Sequence, residues 1–260
     1  MSVQKNSGLN TRRTKEGVAN VKTSILETFS SIDAIGVAAK ISHSSNAASV
    51  DLELRPTELI LFGNPMLGTP IMQANQQAGI DLPQKYLIYE EESGATNIVY
   101  NDVDYLMARH GLSADIPTLD KMRGALNKFA STQSDQDAGS IGELPGQGEG
   151  LIDRISKNSL EDTYNKIAGV INDNPKLRII LELDHQANAK RVGLELRPTR
   201  LIVFGNPNLG TPLMQSAQTV ALDLPQKILV WEDDNQQVHV SYNDPLYLQL
   251  RHGILSLIHI

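Results

Sequence analysis

The stretch LELRPTELILFGNPMLGTPIMQ, residues 52–73, decides the organisation of this chain because it occurs twice. It returns at residues 194–215 as LELRPTRLIVFGNPNLGTPLMQ. The same offset aligns residues 8–111 with residues 150–253 without a gap, and 34 of the 60 positions from Leu52 to Gly111 are identical. A unit of about 100 residues is too long for a stacked solenoid repeat. The sequence therefore predicts two folded domains of common origin.

The repeat also sets the domain boundaries. We place the first repeat domain at residues 8–130 and the second at residues 150–260. Residues 131–149 are rich in Gly, Ser, Gln and Asp, which is typical of a flexible linker. The first copy continues into residues 116–129, where apolar side chains recur every three to four positions and predict an amphipathic helix. The second copy ends in ILSLIHI, so its C-terminal helix is expected to be missing.

The pattern within each unit is that of an α+β fold. In the second copy, strands are expected at 151–156, 179–183, 200–205 and on both sides of the turn DDNQ, with a helix that begins after Ser159. Thr211 before Pro212 is typical of an N-cap followed by a first helical residue, so a helix is expected to begin there. We predict β-α-β(4)-α-like domains, each an antiparallel-rich sheet with helices packed on one face.

Composition excludes several classes of function. The 260 residues have a net charge of −7 and no run of Lys or Arg, which argues against nucleic-acid binding. No segment has the apolar length of a membrane helix, and the first residues do not form a signal sequence. We expect a soluble protein without membrane contact, cytoplasmic by default, with export by a missing leader left open.

The motifs LELRPT, FGNPxLGTPxMQ, DLPQK and YND followed by RHG together resemble the domain of unknown function 302 family. The resemblance covers both copies and implies the β-α-β(4)-α fold. Because single-domain members of that family are dimers, it also implies that the two repeats pack against each other as an internal pseudo-dimer. A two-fold interface uses one patch twice, so repeated residues are expected there. The resemblance implies no activity.

The favoured hypothesis is a binding module for a small anionic ligand or a protein partner, with a homo-oligomer left open. The segment GNPxLGTP is expected at a helix start, where free amides attract anions, although a tight turn explains its glycines and prolines equally well. Arginine in LELRP suits a bidentate anion contact or an ion pair with the neighbouring glutamate. The candidate ligand-binding residues are Asn64, Gly68, Thr69, Arg55, His43, Asn206, Gly210, Thr211, Arg197 and His185.

The alternative hypothesis is a small enzyme of unknown reaction, for which six shared polar residues would have to converge on a pocket. They are Asp102, Arg109, His110, Asp244, Arg251 and His252. No catalytic fingerprint assigns their roles, so the catalytic residues stay unknown. No Cys and no HExxH spacing occur, and we predict neither a metal nor a cofactor.

Two readings of the repeated text stay open beside these. Lys85 and Lys227 suit a partly buried lysine that forms a Schiff base or binds a carboxylate, but a solvated lysine on an edge strand is the commoner case. The repeated polar residues also suit an assembly protein in which they only hold its own interface.

Overall fold

A computed structural model describes residues 8–254. The elements of the first copy are β1 (Leu9–Thr14), α1 (Val18–Ser30), β2 (Gly36–Ser42), α2 (His43–Ala48), β3 (Thr57–Gly63), α3 (Pro65–Ala74), β4 (Gln84–Glu90), β5 (Thr96–Asn101), α4 (Val103–His110), α5 (Pro117–Ser131) and β6 (Gln136–Ile141). Those of the second copy are β7 (Leu151–Ser156), α6 (Leu160–Asn172), β8 (Arg178–Asp184), α7 (His185–Arg191), β9 (Thr199–Gly205), α8 (Pro207–Ser216), β10 (Gln226–Glu232), β11 (Val238–Asn243) and α9 (Pro245–His252). Short 3₁₀ helices precede β4 and β10, at Gln76–Ile80 and Gln218–Leu222.

The strands form two antiparallel sheets, and the predicted α+β fold is confirmed. The orders are β2-β3-β4-β5-β1-β6 and β8-β9-β10-β11-β7. The strand β6 differs from expectation, because it lies inside the segment 131–149 that we predicted to be a flexible linker. It pairs with β1 and extends the first sheet by one strand. Antiparallel pairing is made by backbone groups, so a polar segment can form it.

The helices α3 and α8 begin earlier than predicted. Their N-caps are Asn64 and Asn206, whose side-chain oxygens accept hydrogen bonds from the amides of Met66 and Asn208, both at 2.9 Å. The predicted start at Thr211 is therefore wrong: that residue and Thr69 lie within helices and are buried. Asn-Pro and Thr-Pro carry the same start signal, and the first of the two along the chain sets the helix start.

Each sheet is covered by its own helices on one face only. In the first copy, Ile25 and Phe29 of α1 pack with Ile60 and Tyr86 of the sheet. The opposite face carries Leu59, Leu61 and Leu87, and it packs against Val220, Ala221 and Leu222 of the second copy's 3₁₀ helix. Ile80 of the first 3₁₀ helix packs in turn against Leu201, Val203 and Leu229 of the second sheet. Each copy thus supplies part of the hydrophobic core of the other.

The repeated LELRPT text lies at this contact between the copies. Gln76 Nε2 donates to Thr199 Oγ1 at 2.7 Å, and Gln218 Nε2 donates to Thr57 Oγ1 at 2.8 Å. The glutamine oxygens accept from arginine: Arg197 Nε reaches Gln76 Oε1 at 3.0 Å, and Arg55 reaches Gln218 Oε1 at 3.2 Å. The two copies of the motif therefore make the same polar contacts in both directions.

The described part of the second copy contains no counterpart of α5. Leu209 and Leu250 are 48% and 49% exposed, while Leu67, which corresponds to Leu209, packs into the core of the first copy. The predicted loss of the last helix concerns residues 255–260, which lie outside the described residues.

Candidate functional site

A set of buried polar and charged side chains lies where the two copies meet, and we refer to it as the central polar cluster. Its members are Asp81, Lys85, Asn101, Arg109 and His110, with their counterparts Asp223, Lys227, Asn243, Arg251 and His252. None of them is more than 3% exposed. Asp81 follows the first 3₁₀ helix, Lys85 lies on β4, Asn101 ends β5, and α4 ends with Arg109 and His110. Four separate elements of each copy therefore converge on one place.

One aspartate in each copy holds an arginine and a histidine. Asp81 Oδ2 accepts from Arg109 at 2.9 Å and lies 2.8 Å from His110 Nε2. Asp223 Oδ2 accepts from Arg251 at 2.6 Å and lies 2.9 Å from His252 Nε2. Burial raises the pKa of each carboxyl, but the arginine charge and the histidine hydrogen bond outweigh it and hold the pKa well below the ordinary value. Both aspartates are therefore ionised.

The arginines connect the two halves of the cluster. Arg109 donates to Asn243 Oδ1 at 2.8 Å, and Arg251 donates to Asn101 Oδ1 at 2.7 Å. The guanidinium of Arg251 also lies 3.9 Å from the centre of the Tyr105 ring. These reciprocal contacts join the two repeats in both directions.

The two lysines meet at the middle of the cluster. Lys85 Nζ lies 3.8 Å from Asp223 Oδ1 and 4.0 Å from Asp81 Oδ1, and Lys227 Nζ lies 3.7 Å from Asp223 Oδ1. These distances are too long for hydrogen bonds, and within residues 8–254 neither ammonium nitrogen has a hydrogen-bond partner. Burial and then the charge of Lys227 lower the pKa of Lys85 to about 7, against the opposing effect of the two aspartates.

The formal charges of the cluster do not cancel. Two lysines and two arginines face two aspartates, which leaves +2 with the histidines neutral. The interpretation of Lys85 and Lys227 as solvated edge-strand residues is wrong, because both are 3% exposed and lie on the central strands β4 and β10.

An apolar cleft of about 730 Å³ lies beside α3 in the first copy. Its walls come from the segment 32–38, from residues 62–72 at the start of α3, and from α5. The second copy closes one side with residues 183–192, which include α7. The cleft is separate from the central polar cluster, since none of the cluster residues lines it.

The family model for the domain of unknown function DUF302 matches residues 10–129 and 152–258. The chain belongs to the DUF302 family. A solved DUF302 structure of an uncharacterised conserved protein from Bacillus stearothermophilus matches at 21% identity and a TM-score of 0.39, over 49% of this chain and 96% of the other.

Three curated relatives match one part of this DUF302 protein. The fluoride-specific ion channel FluC 1 of Brucella suis is 41% identical over 105 residues, which are 40% of this chain and 41% of the relative. Proteins named FluC 1 in Brucella abortus and FluC 2 in Brucella melitensis match at the same identity over 38% of their length. The matched segment thus spans about two fifths of these relatives.

The candidate ligand-binding residues of the DUF302 protein fall in three places. Asn64, Gly68, Thr69 and His185 line the apolar cleft. Arg55 and Arg197 lie at the interface between the copies, where they donate to glutamines. The others are the N-cap of α8 (Asn206), two residues within α8 (Gly210 and Thr211) and a buried histidine at the start of α2 (His43).

The alternative polar set converges only in part. Arg109, His110, Arg251 and His252 belong to the central polar cluster. Asp102 and Asp244 are the N-caps of α4 and α9, where each accepts a backbone hydrogen bond at 2.9 Å. The partners that sequence reasoning missed are Asp81 and Asp223. Their signal was the repeated DLPQK, which holds an aspartate four residues before the lysine in both copies.

Residues 8–254 show neither a metal site nor a membrane-spanning helix. No group of three or more His, Asp or Glu side chains is placed to hold a metal ion. In the same range no helix combines the length and the apolar character needed to cross a membrane.

Proposed function

We propose that this DUF302 protein is a binding module for a small anion, which Lys85 and Lys227 hold inside the central polar cluster. The observation that carries the proposal is the pair of buried ammonium groups without hydrogen-bond partners among the described residues, in a cluster of formal charge +2. Burying uncompensated charge costs several kcal/mol. The facing atoms Asp81 Oδ1 and Asp223 Oδ1 also lack hydrogen-bond partners, at 3.7–4.0 Å from the ammonium groups. A small anion would supply the missing negative charge and an acceptor within hydrogen-bond distance of the lysines.

The competing way to lower the charge is loss of a lysine proton. The pKa of Lys85, lowered to about 7 by burial and by Lys227, makes this accessible near neutral pH. An anion favours the protonated lysine, so anion binding and loss of the proton from Lys85 compete with each other. We therefore expect anion affinity to fall as the pH rises above 7, by up to about tenfold per pH unit.

Fluoride is the anion to test first. The Brucella relatives that share a segment with this chain are named fluoride-specific ion channels. Fluoride is a compact anion and a strong hydrogen-bond acceptor, which suits a cluster whose side chains are at most 3% exposed. The channel activity is that of the relatives, and we propose for this chain only the binding of the ion.

The test is equilibrium dialysis of the whole chain at pH 6.5, with free fluoride read by a fluoride-selective electrode. We expect one bound fluoride per chain and a loss of at least tenfold in affinity in Lys85→Met and Lys227→Met. The matched control is Lys190→Met, which removes the same charge from an exposed lysine outside the cluster.

Two results would overturn the proposal. One is wild-type protein that binds no fluoride at pH 6.5 after long dialysis. The other is binding that stays equal in Lys85→Met, Lys227→Met and Lys190→Met. If the cluster variants do not fold, the wild-type pH series decides instead, because binding that is constant from pH 6 to 9 contradicts a role for Lys85.

A further inference from the structure

The apolar cleft has the dimensions and composition of a small-molecule site. Its volume of about 730 Å³ lies within the roughly 300–1,000 Å³ of typical ligand pockets. The walls are mainly apolar and include Met66, Met72, Met122 and Phe129. Methionine side chains adapt to ligands of different shape. The cleft is therefore suited to an aliphatic chain.

Some apolar side chains of the cleft wall are exposed. Val37 is 39% exposed and Met66 is 49% exposed, and both belong to the lining. Large apolar side chains grouped at a concave surface are typical of binding sites, since they gain free energy when a ligand removes them from water.

A cation lies on the side of the cleft that the second copy supplies. Arg191 and Asn188 of α7 belong to the lining, and Arg191 donates to Asn188 Oδ1 at 3.2 Å. Within the described residues no carboxylate lies within 4 Å of Arg191, so most of its donors are available to a ligand. Asp33 of the first copy also belongs to the lining and is exposed, and its negative charge disfavours an anionic group on that side.

We propose that the cleft binds an unbranched aliphatic carboxylate, with its chain between α3 and α5 and its carboxylate at Arg191. Most of the apolar wall belongs to the first copy, and the cation belongs to the second. The site is thus complete only when the copies are packed together. It is independent of the anion site proposed for the central polar cluster.

The test is isothermal titration of the whole chain with sodium dodecanoate below its micellar concentration, compared with dodecanol and dodecyltrimethylammonium. We expect 1:1 binding of dodecanoate, weaker binding of dodecanol and the weakest binding of the cationic surfactant. Arg191→Gln should weaken dodecanoate about tenfold and leave dodecanol unchanged, because only the charged contact is lost. The matched control is Lys190→Gln, which removes a neighbouring charge of α7 that is not part of the lining.

A second variant tests the location of the chain. Ala125 of α5 lines the cleft and is half-buried, so Ala125→Trp should fill the space and abolish binding of both dodecanoate and dodecanol. Dodecanoate binding that persists in Ala125→Trp would overturn the proposal, and so would a wild-type protein that does not bind dodecanoate. Equal affinity for the carboxylate in wild type and Arg191→Gln would remove Arg191 from the site. The Lys85→Met variant should bind dodecanoate normally, which keeps this result separate from the fluoride experiment.

Discussion

Lys85 links the charge of the central polar cluster to the stability of the whole protein. Its pKa is about 7 in the folded chain, because of burial and of Lys227, against an ordinary value of 10.5. Between pH 7 and pH 10.5, Lys85 keeps its proton in the unfolded chain but has released it in the folded chain. The free energy of unfolding should therefore rise from pH 7 to pH 9, by at most about 1.4 kcal/mol per pH unit.

Urea unfolding at pH 7, 8 and 9 measures this prediction for Lys85. The series stops at pH 9 because Tyr86 and Tyr105, whose pKa values burial raises, destabilise the folded state once tyrosine begins to ionise. Lys85→Met should lose most of the rise. Equal pH dependence in wild type and Lys85→Met would contradict it.

The buried histidines His43 and His185 act in the acid range. Burial lowers the pKa of each to about 4 from an ordinary value of 6.5. As the pH falls, the unfolded chain takes up these protons near pH 6.5, whereas the folded chain takes them up only near pH 4. The contribution of the neutral histidines to the free energy of unfolding is therefore full above pH 6.5 and is lost as the pH falls to 4. Near pH 5, each of the two histidines should lower the free energy of unfolding by roughly 1 kcal/mol for every pH unit of acidification. Unfolding free energies at pH 6.5 and 5 should differ less in His43→Phe and His185→Phe than in wild type, and an unchanged difference would exclude both histidines as its source.

The N-cap residues of α3 and α8 should contribute to the stability of the protein. Asn64→Ala and Asn206→Ala should each lower the free energy of unfolding by about 1 kcal/mol, because an amide of the first turn loses its acceptor. Thr69→Val and Thr211→Val should be neutral or slightly stabilising, since neither buried hydroxyl has a hydrogen-bond partner in the described residues. Chemical denaturation distinguishes the pairs, and a larger loss in the threonine variants would restore the cap to Thr69 and Thr211.

Most helices and strands could be predicted from the sequence, but their burial and their long-range partners could not. Periodicity predicted α5 and an apolar run predicted the strand β9, because these signals lie within a few residues of each other. The two copies were predicted from the repeated sequence itself. The burial of Lys85 did not follow, since the sheet face on which it lies is covered by the other copy and not by neighbouring helices. The strand β6 was missed for a related reason: its partner β1 lies more than 120 residues away, and backbone pairing does not require particular residue types.

The 3₁₀ helix of each copy packs on the sheet of the other, so the hydrophobic core of each copy depends on both. Leu222 belongs to the second copy, yet it is fully buried in the cluster that contains Leu59, Leu61 and Leu87 of the first sheet. A substitution there removes packing from both copies at once. The separate domains predicted from the repeat should therefore unfold as one cooperative unit.

Leu222→Ala tests this coupling in the whole chain. A cavity in that shared core should cost about 2–5 kcal/mol. Hydrogen exchange should then lose protection in β4 of the first copy as much as in β10 of the second, because the 3₁₀ helix of each copy packs on the sheet of the other. The control Val170→Ala alters a side chain that is 70% exposed and should leave both strands unchanged. Protection that falls in β10 while β4 keeps its wild-type rates would mean that the copies unfold independently, in spite of the core they share.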